Sequence, residues 1–586
     1  MGPVDAFQWY DSLIFIIMLL ISTSIGVYYG CFGTKQATPG EYLMGNRKMK
    51  KLPIAISVAV SHFSAITLLG VPSDVYKYGA SYWWTCMSLV LIVLATLYIY
   101  LPVFFNLELV NTYEYLERRF DRKTKLLASS LYVLDETLFS SIVAYSPCLA
   151  LSAVTGVDIH IVALATCAVC IFYTSIGGMK TVVWTDFFQL AVILATLTAT
   201  CIIGTRSVGG FSSVWNIAAE GERLDIFDFD LDPTKRDTFW IIFIGYSVSH
   251  TSFIALRQSG VQKFLTLPTF RDCVWSVIYF AISLALVTTF CVYIGLLMYA
   301  KYVNCDPVLD HKITKPDQMV PYYIMDVAKN IPGASGLFIA TIYCASLSSL
   351  SSNLNAMSGV IYHDFIKRLV KRDITDETVT KILKMIVVVL GIVCTSLVLL
   401  VQHLGGIISL TVSLAGMVAG PVMGMFTLGM LFPKANAKSA FTGTICGLVF
   451  LLFMTVPAYY YKYHKLYNYP TKPFSVDDCQ FNLSIADTSS ALFGFNSSTT
   501  GTNVMLNTNT WKPFFLFRIS YYYYCLIGAI VTITVGLIIN QLTNRNGSSA
   551  DRALISPVCH FLLPDDTERD ARAMEIFLEG HEDVEN

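Results

Sequence analysis

Charge is what this 586-residue chain has least of: Asp, Glu, Lys and Arg make up 14% of it, against 54% hydrophobic residues. A soluble domain carries about 25% charged residues, so a soluble enzyme is excluded as the reading of this composition. No long basic block occurs and the net charge is −1, which removes the electrostatic footprint of a nucleic-acid binder. The opening MGPVDAFQWYD lacks the basic flank of a cleaved signal, and Ala6 breaks the myristoylation pattern. The first apolar run is therefore expected to remain as a signal-anchor. Most of the 15 cysteines fall inside apolar stretches, and Cys167 and Cys170 have CxxC spacing without a second pair nearby, which leaves them as packing residues and not a zinc site.

Long apolar runs and aromatics are what the chain has in quantity. About 13 runs are long enough to cross a ~30 Å hydrocarbon core at ~1.5 Å per residue. They lie near 11–31, 52–78, 81–107, 126–152, 158–176, 182–205, 238–256, 272–300, 335–366, 379–402, 406–432, 437–459 and 515–540. The fold class expected is an all-α polytopic membrane protein in a lipid bilayer, its 33 Tyr, 37 Phe and 8 Trp suiting interfacial belts and packed spans. Basic clusters at Arg47, Lys48, Lys50 and Lys51, at Arg118, Arg119, Arg122 and Lys123, and at Lys367, Arg368, Lys371 and Arg372 fall in alternate loops. Those loops are expected to be cytoplasmic, which puts the N-terminus outside. The loop 460–514 then lies outside too, and it carries glycosylation sequons at Asn482 and Asn496, whereas the sequon at Asn546 would be cytoplasmic and unused. Cys305 and Cys479 both sit in loops placed outside, where a disulfide between them is permitted. The cytoplasmic tail, 541–586, is polar and ends acidic, so it is expected to be mostly disordered, with a short helix near 566–579.

Three segments break the apolar pattern. CASLSSLSSNLNAMSG (344–359) places many hydroxyls inside a membrane-length run. SVAVSHFSAITLLGVPSD (57–74) and GYSVSHTSFIALRQSG (245–260) mix small, hydroxyl and imidazole side chains and open two spans that are five spans apart. Interrupted helices at matching positions of two five-helix halves point to an inverted-repeat secondary transporter with a midplane site. Unwound backbone carbonyls and neighbouring hydroxyls can make an oxygen cage for a small hard cation, sodium being the natural one. The alternative for Ser346, Ser348, Ser349, Ser351 and Ser352 is close helix packing with hydroxyls bonded to their own backbone. Asp186 stands out because a carboxylate within a span costs ~2.5–3.5 kcal/mol to insert. It belongs either to an ion path or to an ion pair with Lys180 or Arg257. Ser61-His62 and Ser249-His250 occupy the same place in the two interrupted segments, so two neutral imidazoles could donate to an anionic solute beside the positive end of a half-helix; the bland alternative is a pair of packed histidines. Asp135 and Glu136, about ten residues into the fourth run, could neutralise those histidines, accept a proton or favour a cationic or zwitterionic solute.

The stretches GVPSDVYKYG (70–79), NTYEYLERRF (111–120), YTSIGGMKTVVWTDFFQ (173–189) and GVQKFL (260–265), with the serine stretch, resemble the sodium:solute symporter family over nearly the whole length. In detail they are most similar to its branch of sodium-coupled monocarboxylate, multivitamin and iodide transporters. The resemblance implies a LeuT-like core of two inverted repeats, 52–205 and 238–432, with a peripheral first span within 1–31 and two peripheral spans within 437–540. It implies sodium ligation by the carbonyls of Val60, Phe63 and Ala345 and the hydroxyls of Ser348 and Ser349. It implies an ion path through Ser64, Asp186, Gln189 and Gln258; the solute contacts expected from the two interrupted segments are His62, Thr67 and His250. The chain departs from the family at Arg257, where Asn is frequent, at His62 and His250, and at Asp135 and Glu136, which relatives leave uncharged. The expected function is sodium-coupled import of a small organic anion, a monocarboxylate or a carboxylate-bearing vitamin, across the plasma membrane by alternating access. Sodium would be the coupling ion, with no cofactor and no enzymatic step. Import of a cationic, zwitterionic or polyol solute is the alternative within the class; a transport-inactive sensor or sodium-leak protein, which Arg257 would suit, is the one outside it.

Overall fold

The computed structural model describes residues 7–28, 38–45, 49–313, 316–329, 331–369, 375–401, 407–464, 466–477, 479, 513–543 and 550–563. Every regular element among them is helical. In chain order the elements that matter here are α1 (Trp9–Val27), α2 (Lys51–His62), α3 (Ile66–Tyr78), α4 (Ala80–Asn106), α5 (Arg122–Thr155), α6 (Ile159–Val208) and α7 (Ile241–Ala255). They continue as α8 (Gln258–Phe264), α9 (Phe270–Lys301), α10 (Ala334–Ile366), α11 (Asp376–Val401), α12 (Ile407–Leu431), α13 (Ala437–Tyr463) and α14 (Tyr521–Thr543).

Among the described residues, ten helices are long and apolar enough to cross a bilayer, or eleven when the bent pair α2 and α3 counts as one. Eleven of the 13 expected runs are accounted for in this way. The runs expected at 158–176 and 238–256 are the shorter apolar helices Ile159–Phe172 and Ile241–Ala255. Hydropathy alone does not register what shortens them. Gly178, at φ 53°, kinks α6, and α7 stops at a polar break.

The two breaks have local causes. Phe63 leaves helical geometry (φ −82°, ψ 77°) and its N–H closes on the Ala59 carbonyl at 3.0 Å. Ser64 then starts the next helix: its Oγ accepts the Ile66 N–H at 3.2 Å and its carbonyl the Thr67 N–H at 3.0 Å. α3 leaves at 54° to α2. In the second break Arg257 is extended (φ −64°, ψ 137°), and the Ser252 carbonyl takes the N–H groups of both Leu256 (3.3 Å) and Arg257 (3.2 Å). Gly260 lets α8 return close to α7, since a Cβ there would stand 2.9 Å from the Ile254 carbonyl oxygen.

α10 is the central element: 89% of its span is buried, against 22% for α1 and 28% for α14. Small residues let its neighbours approach. Gly336 in α10 donates its N–H to Asp11 Oδ1 at 2.9 Å, and a Cβ at 336 would run into the Asp11 backbone. Gly336→Ala is therefore expected to loosen α1 from α10 and lower the thermal midpoint of the detergent-solubilised protein by several degrees, read by fluorescence-detected size exclusion; an unchanged midpoint would show that α1 contributes nothing to stability.

The ends of the bundle explain the quoted motifs. In GVPSDVYKYG, Asp74 takes Arg236 at 2.6 and 2.7 Å, and the Tyr76 hydroxyl donates to Asp306 at 2.6 Å. Next to Asp306, Cys305 and Cys479 are joined in a disulfide. In NTYEYLERRF, Asn111 donates to Asp364 at 2.8 Å, and Lys125 pairs with both Glu117 and Asp364 at 2.9 Å. The hydrogen bond from Lys125 holds the Glu117 carboxyl below the usual range. The expectation of a mostly disordered tail is corrected over 550–563. There Tyr115 donates to the Leu554 carbonyl at 3.0 Å, and Ser556 donates through its N–H to the Met430 carbonyl at 2.9 Å and through Oγ to the Tyr98 carbonyl at 3.2 Å. Average polarity hides this short docking segment. The sequons at Asn482, Asn496 and Asn546 and the stretch 566–579 lie outside the described residues.

Candidate ion and solute site

Three helices converge on Asp186 of α6. Ser57 of α2 donates to Oδ2 at 2.5 Å and Ser348 of α10 to Oδ1 at 2.5 Å, while Lys263 of α8 places Nζ 3.4 Å from Oδ2. Ser61, one turn beyond Ser57, joins the same cluster: its hydroxyl lies 2.9 Å from Ser352 Oγ, 3.3 Å from Ser348 Oγ and 3.4 Å from Asp186 Oδ2. Asp186 and Lys263 are both almost wholly buried, at 0% and 1% exposed. A charge so placed survives only if paired and hydrogen-bonded, and this one is both. The partner differs from either pair considered from sequence, since it is neither Lys180 nor Arg257.

Ser349, although adjacent to Ser348, serves a different partner. Its hydroxyl donates to the Ser61 carbonyl at 2.8 Å and to the Ala345 carbonyl at 3.2 Å. The last-turn carbonyls of a helix lack helical partners, and α2 ends at His62, so Val60, Ser61 and His62 present such oxygens toward the break at Phe63. Ser348 and Ser349 thus sit on the seam between α2 and α10, and Val60, Phe63 and Ala345 are, like them, buried. Other serines of the stretch pack: Ser346 donates to the Val143 carbonyl and Ser351 to the Ser348 carbonyl at 3.0 Å.

The remaining ion-path residues separate. Ser64 caps α3. Gln189 is buried one turn from Asp186, and its Oε1 has no hydrogen-bond partner among the described residues. Gln258 is engaged elsewhere: Oε1 accepts from the Thr112 N–H at 2.8 Å and hydroxyl at 3.1 Å, and Nε2 donates to the Val110 carbonyl at 2.7 Å. It braces the 107–113 loop and stands apart from the Asp186 cluster.

Arg257, at the second break, donates to Asp135 and to Glu136, the latter at 2.7 Å. Asp135 and Glu136 accordingly neutralise Arg257 and not the histidines. The departures from the family at 135, 136 and 257 are one structural feature, two carboxyls on one guanidinium. Phe253 stands between this triad and the imidazoles. Arg257 Cζ lies 4.4 Å from its ring centroid, and the His62 ring 4.5 Å from it, edge to face. His62 and His250 meet at 5.6 Å between centroids; His62 also abuts Phe280 at 5.2 Å, and His250 stacks on Tyr246 at 3.6 Å. Both imidazoles and Thr67, in the first turn of α3, are half-buried.

Comparison with known proteins settles the class. Residues 42–447 match the model of the sodium:solute symporter family. The chain belongs to that family. It is 34% identical over 562 residues to the human sodium-coupled monocarboxylate transporter 2, covering 95% of this chain and 88% of the relative. It is 33% identical over 546 residues to the human sodium/iodide cotransporter, covering 92% and 85%. A sodium-coupled sialic acid symporter solved in a substrate-bound outward-open state superposes with a TM-score of 0.73 at 22% identity, over 93% of this chain and 100% of that one. The fold is LeuT-like, and the protein is a multi-pass, sodium-coupled solute symporter and not an enzyme.

Sequence reasoning passed over Lys263, Ser57 and Ser61. One signal was available: Ser57 and Ser61 are four residues apart and so share a helix face. Lys263, inside the apolar GVQKFL, offered no local clue to its partner.

Proposed function

We propose that this symporter imports a small organic anion, a monocarboxylate or a carboxylate-bearing vitamin, with sodium across the plasma membrane by alternating access. The observation that carries the reading is the meeting of His62 and His250, one from each broken helix, at 5.6 Å. Neutral imidazoles offer donors to a carboxylate without adding a fixed charge. Kinship with monocarboxylate transporters at 34% identity supports the same class of solute. The carbonyls of Val60, Phe63 and Ala345 and the hydroxyls of Ser348 and Ser349 hold the coupling sodium, and Asp186 and Gln189 line its path. Thr67, in the first turn of α3, completes the solute contacts. The repeats are 52–205 and 238–432. The N-terminus and the loop 460–514, glycosylated at Asn482 and Asn496, face outside, with the tail inside. The membrane potential supplies about 2.3 kcal/mol per charge per 100 mV to drive uptake.

A cationic or zwitterionic solute is the second reading, favoured by the two acidic residues, Asp135 and Glu136, that share the single Arg257. Uptake into proteoliposomes across a solute panel, with and without a sodium gradient, separates the two. Sodium-dependent accumulation of carboxylates supports the proposal; accumulation of amines alone, or none, overturns it. In the same assay the double variant Ser348→Ala, Ser349→Ala is expected to raise the sodium concentration for half-maximal uptake about tenfold or more, since two oxygens on a cation are removed. An unchanged sodium dependence would remove these hydroxyls from the sodium site.

A further inference from the structure

We propose that the Lys263 ammonium is a tethered cation that competes with the coupling sodium for the oxygens around Asp186. The proposal rests on the sodium-site reading above and adds a mechanism for ion release. Lys263 Nζ has three oxygen partners: Ser61 Oγ at 2.5 Å, the Ser57 carbonyl at 3.0 Å and Asp186 Oδ2 at 3.4 Å. Hydroxyl, carbonyl and carboxylate oxygens are also what a small hard monovalent cation takes. The cluster holds one negative charge, so it neutralises one cation. A second placed beside the ammonium would be repelled in a site from which water is largely excluded.

The ammonium is held in a way that allows exchange. Its carboxylate contact is the longest of the three, and the Asp186 oxygens are independently satisfied by Ser57 and Ser348, each at 2.5 Å. When Lys263 withdraws, Asp186 keeps two hydroxyl donors and the cluster keeps its shape. α8 itself is held by Gln258 to the 107–113 loop and by Gln262 to the Leu43 carbonyl, so it is the flexible four-carbon stem of the lysine that lets Nζ leave the cluster. Ser348 links the two positions, because the hydroxyl that donates to Asp186 also has a lone pair for the sodium between α2 and α10. Sodium passing to Asp186 displaces the ammonium. Its return expels sodium.

The test is equilibrium binding of radiolabelled sodium alone to the purified full-length protein, without solute. Lys263→Gln removes the competing charge and is expected to lower the half-saturating sodium concentration about tenfold or more, as loss of a cation within ~4 Å implies. Unchanged or weaker binding would overturn the proposal. The Ser348→Ala, Ser349→Ala variant runs in parallel: if it weakens binding while Lys263→Gln changes nothing, the sodium site stands and the competition falls. If it has no effect, the sodium-site reading itself fails. Should Lys263→Gln not yield folded protein, the charge-balanced pair Asp186→Asn, Lys263→Gln is compared with Asp186→Asn alone. The pair is expected to bind sodium more tightly, and equal binding overturns the proposal.

Discussion

Arg257→Ala is expected to abolish recovery of folded symporter. Removing the guanidinium leaves Asp135, 4% exposed, and Glu136, 0% exposed, as adjacent carboxylates without a cation in the protein interior. Breaking a buried pair from one side costs about 3–5 kcal/mol, a large part of the ~5–15 kcal/mol that holds a typical domain together. The loss arises from the stranded charges and not from the arginine's own shape. Arg257→Met combined with Asp135→Asn and Glu136→Gln should therefore restore a monodisperse peak in size exclusion, because replacing a whole buried ionic cluster is often neutral. Normal yield of the single variant, or failure of the triple one, would mean that Arg257 acts in some way other than charge balance.

The second large effect concerns the imidazoles. Phe at position 62 or 250 keeps a flat ring, so the edge contact of His62 with Phe253 and the stack of His250 on Tyr246 can persist while the N–H donors are lost. A hydrogen bond to a charged group is worth about 1.5–3 kcal/mol, which is roughly ten- to a hundredfold in apparent affinity for a carboxylate. Sodium binding without solute should change little for His250→Phe and modestly for His62→Phe, since His62 ends the helix whose last carbonyls face the sodium seam. Equal losses for anionic and uncharged solutes would defeat the anion-recognition role.

These two sites mark what a linear reading can and cannot reach. The interrupted segments were legible because serine, glycine and histidine inside apolar runs are costly unless the backbone is doing something unusual, and both breaks occur within the quoted stretches. The charge partners were not. Lys263 and Asp186 are 77 residues apart and Arg257 and Glu136 are 121 apart, so no helical periodicity relates them. Arg257 looked anomalous alone, and Asp135 and Glu136 looked like candidates for the histidines; the packing of α5 against the second break assigns them to each other. Gln258 misled in the opposite sense, because a buried amide near an ion path also suits a loop brace, and only the Thr112 and Val110 contacts distinguish the two.

The docked segment 550–563 bears on how the protein can be handled. A reporter joined directly after Thr543 would delete the strand of contacts that ties Leu554 to Tyr115 and Ser556 to Tyr98 and Met430. Fluorescent tags, affinity handles and protease sites are better placed beyond Leu563, where they leave that belt fastened around the ends of α4 and α12.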